Sequence, residues 1–562
     1  TVTSAALKQG VRECLIQALI DGGTPPEAVA YFGKKVELEP QSPQTIDVDV
    51  LVVGMGGTGT AAVLSACEAE AAAGREVKVL AINPAQFQAD HNGGVDYVDV
   101  NYVNDARANS PYSAGAHTNN YHFPMFGEDP DLQPFWDIYV ERSGEMLDWL
   151  VEHGFYFGNE PTGDFYAPGL KANYEYAGTM GDQGKMEVKG YFDKMIGDAK
   201  ALGGQVMIFT ELQDYITDAD GKVVGAYAKS TKDGTEYTIN AKKVISCTGG
   251  MGGNKELWGK HSNMGQGYEL MGLRTNDGKS LEACWNLGAG EKNIMTGSTV
   301  HTIAPSIILN DFPVNRIEGM LDPWIGRVAT WSMNDVPLFM VTNRDTLFVN
   351  REGIRYATEA PIWPMTFVGW MGGNRFYSIA SQARIDAIAA AGFDHTNTNV
   401  FKPHGFNTFP TNTPLPDMQE VVDACVRLGN CFKADTLDEL GEILGMPAGN
   451  LQASVDRYNG FCEVGVDEDY GKDAALLKSM GTEGPWYAFA GQAEDYTSEG
   501  GLSIDTMFHV TKADGEPLGN IFCGGTDCLG FMPCDFAGNA QGWAFLSGKL
   551  AAANAVAEIV AE

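Results

Sequence analysis

One hexapeptide restricts this chain more than anything else in it: Gly54-Met55-Gly56-Gly57-Thr58-Gly59. It joins a short, mostly apolar run at 48–53 to an alanine-rich stretch at 58–73, and a second apolar run follows at 77–82. These patterns predict strand, tight turn, helix and strand, a βαβ unit. Alanine is the strongest helix former, so 58–73 needs little help from packing. Each glycine then has its own task. Gly54 permits the turn, Gly56 lets a pyrophosphate approach the backbone, and Gly59 lets helix pack closely on strand. The helix start at Gly57 and Thr58 offers N–H groups and partial positive charge to phosphates. Alone, such a motif is also compatible with a plain structural turn; inside a βαβ unit it favours nucleotide binding. The acid that usually ends the second strand and binds the adenosine ribose is missing. Asn83 stands there, able to accept a hydrogen bond but uncharged.

Four further glycine-centred segments follow. Cys247-Thr248-Gly249-Gly250-Met251-Gly252-Gly253-Asn254 comes after a strand-like stretch at 243–246. Thr275-Asn276-Asp277-Gly278 precedes a helix that ends at Gly288-Ala289. Gly519-Asn520-Ile521-Phe522 leads into Cys523-Gly524-Gly525-Thr526-Asp527, and Ala537-Gly538-Asn539-Ala540 precedes a helix at 542–557. Residues 222–229 and 235–245 read as a hairpin that returns to the nucleotide-binding core. From 297 to 483 the composition turns to Pro, Trp, Asn and Met among short helices. A chain of 562 residues is too long for one simple core. The expected division is an N-terminal extension at 1–46, with a short helix at 5–20; a nucleotide-binding segment at 47–296; a substrate-capping insertion at 297–483; and a second nucleotide-binding segment at 484–562.

With these segments in this order, the chain resembles the fumarate reductase and succinate dehydrogenase flavoprotein superfamily, on its ketosteroid dehydrogenase-like branch. The insertion carries matching stretches: Asn350-Arg351-Glu352-Gly353-Ile354-Arg355-Tyr356 with Glu359, Ala434 to Leu440, and Tyr458-Asn459 with Gly465-Val466-Asp467. The resemblance covers roughly 47–562. It implies an α/β protein: a Rossmann-like FAD-binding domain with an inserted α+β capping domain. It implies FAD held by Gly54, Gly56, Gly57, Thr58, Gly59, Asn83, Thr248, Gly249, Gly250, Asn254, Asp277, Gly525, Thr526, Asp527, Gly538, Asn539 and Ala540. The last helix would aim its N-terminus at the isoalloxazine and stabilise negative charge on reduced flavin. His91 lies at a spacing similar to that of a histidine covalently linked to FAD in part of the superfamily, but its neighbours do not match. Noncovalent FAD is the expectation, with attachment through His91 as the alternative.

The substrate half of the pattern departs from the resemblance. Trp363 stands where the fumarate reductases have a proton-donating Arg and the ketosteroid enzymes a Tyr. Phe531 and Asp535 fall near the His and Arg that clamp a carboxylate, and Asp535 would repel a dicarboxylate. Cys534 lies near a catalytic Tyr of the ketosteroid enzymes, and Gly538 keeps their backbone N–H donor. His301 resembles the His of an "HPT" segment, with a satisfied structural histidine equally admissible. The candidate catalytic set is His301, Trp363, Cys534, Asp535 and Gly538. Fumarate is not the expected substrate; a neutral or aromatic, steroid-like molecule is. The expected reaction is reduction of an activated C=C bond, in an enone or enoate, by hydride from flavin N5. Gly538 N–H and His301 would polarise the substrate, and Asp535 or Cys534 would supply the proton. The alternatives are dehydrogenation of a saturated ketone, a non-catalytic electron-transfer flavoprotein, or an oxidase.

Charge and composition narrow the partners. With 38 basic and 73 acidic residues the net charge is −35, which repels phosphate backbones and speaks against nucleic acid. It would suit a basic electron-donor protein, although solubility is the plainer reading. No run of 18 apolar residues appears, so no membrane span is expected. A soluble chain is expected, either cytoplasmic or exported with its signal removed. Ten cysteines form no CxxC or CxxCH, and nine histidines no HExxH, so neither c-type haem nor a metal site is expected. Electrons would come from an external donor such as a cytochrome or other redox protein. Cys523, Cys528 and Cys534 read as packing rather than as cluster ligands.

Overall fold

The computed structural model describes residues 2–25, 38–85, 94–95, 103–104, 130–155, 174–175, 188–261, 269–270, 273–303, 312–321, 328–360, 372–373, 375–394, 401–402, 405–406, 410–528 and 539–562. The chain opens with helix α1 (Val2–Asp21), on which Val11, Leu15 and Ile20 are exposed. The expected βαβ unit follows as β1 (Gln44–Val53), α2 (Gly57–Ala72) and β2 (Val79–Asn83). Helices α3 (Gln133–Glu152) and α4 (Val188–Ala201) come next. They lead to β3 (Gln205–Ile208), β4 (Thr210–Thr217), β5 (Val223–Ser230), β6 (Glu236–Ser246) and helix α5 (Lys279–Asn286).

Next along the chain come β7 (Glu291–Ile303), β8 (Leu347–Val349), β9 (Arg375–Ser381), α6 (Gln382–Ala391), α7 (Met418–Leu428), β10 (Cys431–Ala434), α8 (Leu437–Leu444), α9 (Asn450–Val464) and β11 (Trp486–Leu502). The chain closes with β12 (His509–Thr511), β13 (Pro517–Cys523) and α10 (Asn539–Ala561).

The main sheet runs β12-β13-β6-β1-β2-β3, and β5 joins β4 to β6 as an antiparallel hairpin. The contacts of β1 with β2 and β6, of β2 with β3, and of β6 with β13 are parallel. A central parallel strand must bury both faces. Alternation then divides β1 between two cores. Val50 and Val52 pack with α2, α3, α4 and α10. Leu51 and Val53 pack with β4, β5 and α5. Helix α10 is long and apolar enough to cross a membrane by length and composition. Here Trp543, Phe545, Leu546, Ala551, Ala552, Ala555 and Val556 are buried in the first of those cores, which accounts for its composition without a bilayer.

The second sheet runs β7-β11-β9-β8, with β10 also on β11. Its first half, from Trp486, pairs with β9 and β10. Near its end β11 reaches the second of the two cores that flank β1, where Leu502 is buried beside Leu281 and Val510.

The motif residues Arg355, Glu359 and Asp467 meet in one buried network with Lys472. Arg355 donates two hydrogen bonds to Glu359 and two to Asp467, at 2.8–2.9 Å. Lys472 reaches Glu359 at 3.2 Å and the Tyr458 hydroxyl at 2.8 Å. Glu359 and Lys472 side chains are fully buried. Burial pushes the Asp467 carboxyl up, but the Arg355 guanidinium and the Lys472 and Tyr470 N–H groups outweigh it and hold the group at about 2.

Candidate functional site

The site grows from the turn after β1. Gly54 has φ +99°, and a Cβ there would collide with the Cys247 carbonyl, so only glycine fits. Gly59 is pressed equally hard against the Gly54 carbonyl. The first N–H groups of a helix have no intrahelical acceptor, and the N-cap residue of α2, Gly56, has no side chain to cap them. A Cβ built on Gly56 would meet nothing within 4 Å. A helix start with open space over its glycine suits a diphosphate. These features fit the expected FAD.

Asn83, at the end of β2, is already engaged. Its Oδ1 accepts the Met55 N–H at 3.2 Å, and its Nδ2 donates to the Ala85 carbonyl at 3.0 Å. The side chain therefore braces the glycine turn. Thr58 is buried with its side chain against Gly524 and Gly525, and Gly548 of α10 lies on its carbonyl. Gly525 has φ +66° and no room for a Cβ beside Thr58. Ser547 of α10 takes the Gly525 N–H at 2.8 Å.

The densest part of the site centres on Asp527, which is wholly buried. Its carboxylate accepts the Thr248 N–H at 2.6 Å, the Gly250 N–H at 2.7 Å, the Ser246 hydroxyl at 2.7 Å and the Thr248 hydroxyl at 2.9 Å. Ser280 Oγ lies 2.6 Å from Ser246 Oγ, and Tyr215 Oη 2.6 Å from Ser280 Oγ. With the Ser246 proton committed to the carboxylate, Ser280 must donate to Ser246 and Tyr215 to Ser280. Three hydroxyls thus point one way, toward one acid, and reinforce each other. Burial raises the Asp527 carboxyl, opposed by the donors from Gly250, Ser246 and Thr248. Burial also raises the Tyr215 hydroxyl and the Cys247 and Cys523 thiols. Cys523 and Cys528 are buried in the apolar core beside Leu281 and Leu502.

The remaining glycine loops interlock here too. Gly249 lies against the Asn276 side chain. Asn254 caps the helix Lys255–His261 through the Leu257 N–H at 3.0 Å, and its Nδ2 donates to the Asp277 carbonyl at 3.2 Å. Asp277 accepts the Lys279 N–H at 3.2 Å. Ser498 of β11 takes the Met251 N–H at 2.8 Å, joining loop and strand. Thr526 and Ala540 are half-buried, on the 525–527 turn and the first turn of α10. Gln541, one residue further along α10, has a buried Nε2 with no acceptor among the described residues.

Of the candidate catalytic residues, the backbone of His301 lies on β7 opposite Glu494 of β11. Trp363, Cys534, Asp535 and Gly538 lie outside the described residues, as do Phe531 and the attachment candidate His91. Asn539 is the first residue of α10. Tyr215, Ser246, Ser280, Ser498 and Gln541 were not expected. Isolated serines and a tyrosine carry no local signal, and only the fold brings them to Asp527 and the glycine turn.

Residues 49–316 and 335–539 match the profile of the FAD binding domain family. The chain belongs to this family. As a FAD-binding family member it is a FAD-dependent oxidoreductase acting on CH–CH or C=C bonds. It is 24% identical to vinyl phenol reductase of Lactiplantibacillus plantarum over 89% of this chain and 94% of that one. It is 26% identical to urocanate reductase of Eggerthella lenta over 93% of this chain and 77% of that one. Among solved structures, 3-ketosteroid-delta4-(5alpha)-dehydrogenase of Rhodococcus jostii, in complex with 4-androstene-3,17-dione, shares the fold. Its TM-score is 0.55 at 21% identity, covering 92% of this chain and all of that one.

Proposed function

We propose that this flavoprotein reduces an activated carbon–carbon double bond in a neutral or aromatic molecule. What supports this most directly is the likeness to vinyl phenol reductase, which runs through nearly the whole of both chains. The sequence adds a reason against dicarboxylates, since Asp535, Phe531 and Trp363 stand where a carboxylate clamp would need cations or a proton-donating Arg. When bound, FAD supplies the hydride for such a reduction. The glycine turn, α2 and the 525–527 turn hold it, and Asp527 fixes the loop at 247–250 against them. His301 and the Gly538 N–H polarise the substrate, and Asp535 or Cys534 gives up the proton. An external redox partner supplies the electrons.

Anaerobic photoreduction, followed by mixing with 4-vinylphenol, an enone, an aromatic enoate or fumarate, tests this reading. The oxidised flavin spectrum should return with the aromatic alkene, enone or enoate and not with fumarate. If none of the unsaturated compounds reoxidises the flavin, the reductase reading is wrong. If a saturated ketone bleaches the oxidised protein instead, the chain works in the reverse direction.

A further inference from the structure

We propose that the side-chain carboxamide of Gln541 is a donor to the diphosphate of FAD. The proposal rests on FAD binding and not on the choice of substrate. Nε2 of Gln541 is buried and finds no acceptor among the described residues. A buried N–H without a partner is costly, so it is expected where a ligand supplies the missing acceptor.

Position identifies that ligand. The Gln541 carboxamide lies directly over the Cα of Gly57, where any Cβ would run into Nε2. Gly57 is the first residue of α2, and its N-cap residue, Gly56, has no side chain to cap the helix. Its first-turn N–H groups and the Gln541 amide therefore belong to one donor set, assembled from helices near opposite ends of the chain. Such a set matches an anion with several acceptor oxygens, which in FAD is the diphosphate. Gly57 gains a second reason to be glycine, since a side chain there would displace the amide. A leucine at 541 would fill a similar volume while supplying no donor.

The test uses full-length apoprotein produced in a riboflavin-auxotrophic host. FAD is titrated by flavin fluorescence, with ADP as competitor. Wild-type apoprotein should bind both. Gln541→Leu should weaken FAD and ADP alike, by about tenfold or more for loss of a hydrogen bond to a charged group. Gln541→Glu is nearly isosteric and puts a carboxylate against the diphosphate. It should weaken both ligands further, and the added loss should shrink as salt rises. Wild-type FAD affinity in the two variants overturns the proposal. So does weakened FAD with unchanged ADP, which would place the amide at the flavin end. Where circular dichroism shows the Leu variant misfolded, the Glu variant decides alone. A wild-type apoprotein that takes up no FAD would overturn the cofactor assignment, and this proposal with it.

Discussion

Asp527 shows how one buried carboxyl can organise the loop at 247–250 through hydrogen bonds from backbone and hydroxyl donors. The Thr248 N–H points at one carboxylate oxygen and the Gly250 N–H at the other. An asparagine would have to turn its own NH2 toward one of them. Asp527→Asn therefore exchanges an acceptor for a donor–donor clash, although the volume is unchanged. The expected cost is about 3 kcal/mol, read as a lower denaturant midpoint together with loss of flavin from purified protein. Full stability and flavin content in this variant would remove Asp527 from the anchoring part assigned to it. The same residue marks a limit of sequence reading. The glycine turn at 54–59 was legible because its spacing is local. Asp527 read as a cofactor contact because its motif is glycine-rich, yet its partners Thr248 and Gly250 lie 279 and 277 residues away. Asn83 is a similar case. Its place at the end of β2 suggested a ribose contact, and the bond to Met55 that it makes depends on how the turn folds back over the strand.

Among the elements, α10 is tied down by charged groups near its far end. His509 of β12 lies between Asp505, 2.8 Å from Nδ1, and Glu558 of α10, 2.6 Å from Nε2. Glu558 also takes the Lys243 ammonium of β6 at 2.8 Å. The Asp505 hydrogen bond raises the His509 pKa, with Glu558 adding to it and burial opposing it. An imidazole raised above its unfolded value of about 6.5 stabilises the fold fully below that value. The contribution fades as pH climbs through the folded pKa. His509→Gln should cost about 1 kcal/mol at pH 6, and the gap to wild type should narrow by pH 9. Urea midpoints of both proteins across that range give the answer, and a gap that stays constant or widens with pH would mean that charge on His509 is not what ties α10 down. The strands and helices were themselves largely readable. Residues 222–229 and 235–245 were expected as a hairpin and form β5 and β6, because alternation and turn residues are local signals.

For the molecule as a whole, two bodies of buried side chains share a chain that passes between them on β7 and β11, which pair with each other. The first holds the glycine turn, α10 and Asp527. The second contains the Arg355–Glu359–Asp467–Lys472 network, none of whose members belongs to the FAD-side loops. An uncompensated charge in the second body should therefore loosen the cap first. Glu359→Ala leaves Arg355 on Asp467 but takes the carboxylate from the fully buried Lys472 ammonium. Burial already lowers the Lys472 pKa against the pull of Glu359. Removing one partner of a buried pair costs about 3–5 kcal/mol. That is a large fraction of the roughly 5–15 kcal/mol by which a folded domain is stable. Limited proteolysis should then cut within 297–483 while flavin absorbance stays with the protein, and kcat/KM should fall more than flavin content does. Simultaneous loss of flavin and cap in one cooperative transition would show instead that the paired strands make the two bodies a single folding unit. In that event cap variants such as Glu359→Ala could not be used to separate substrate effects from cofactor effects.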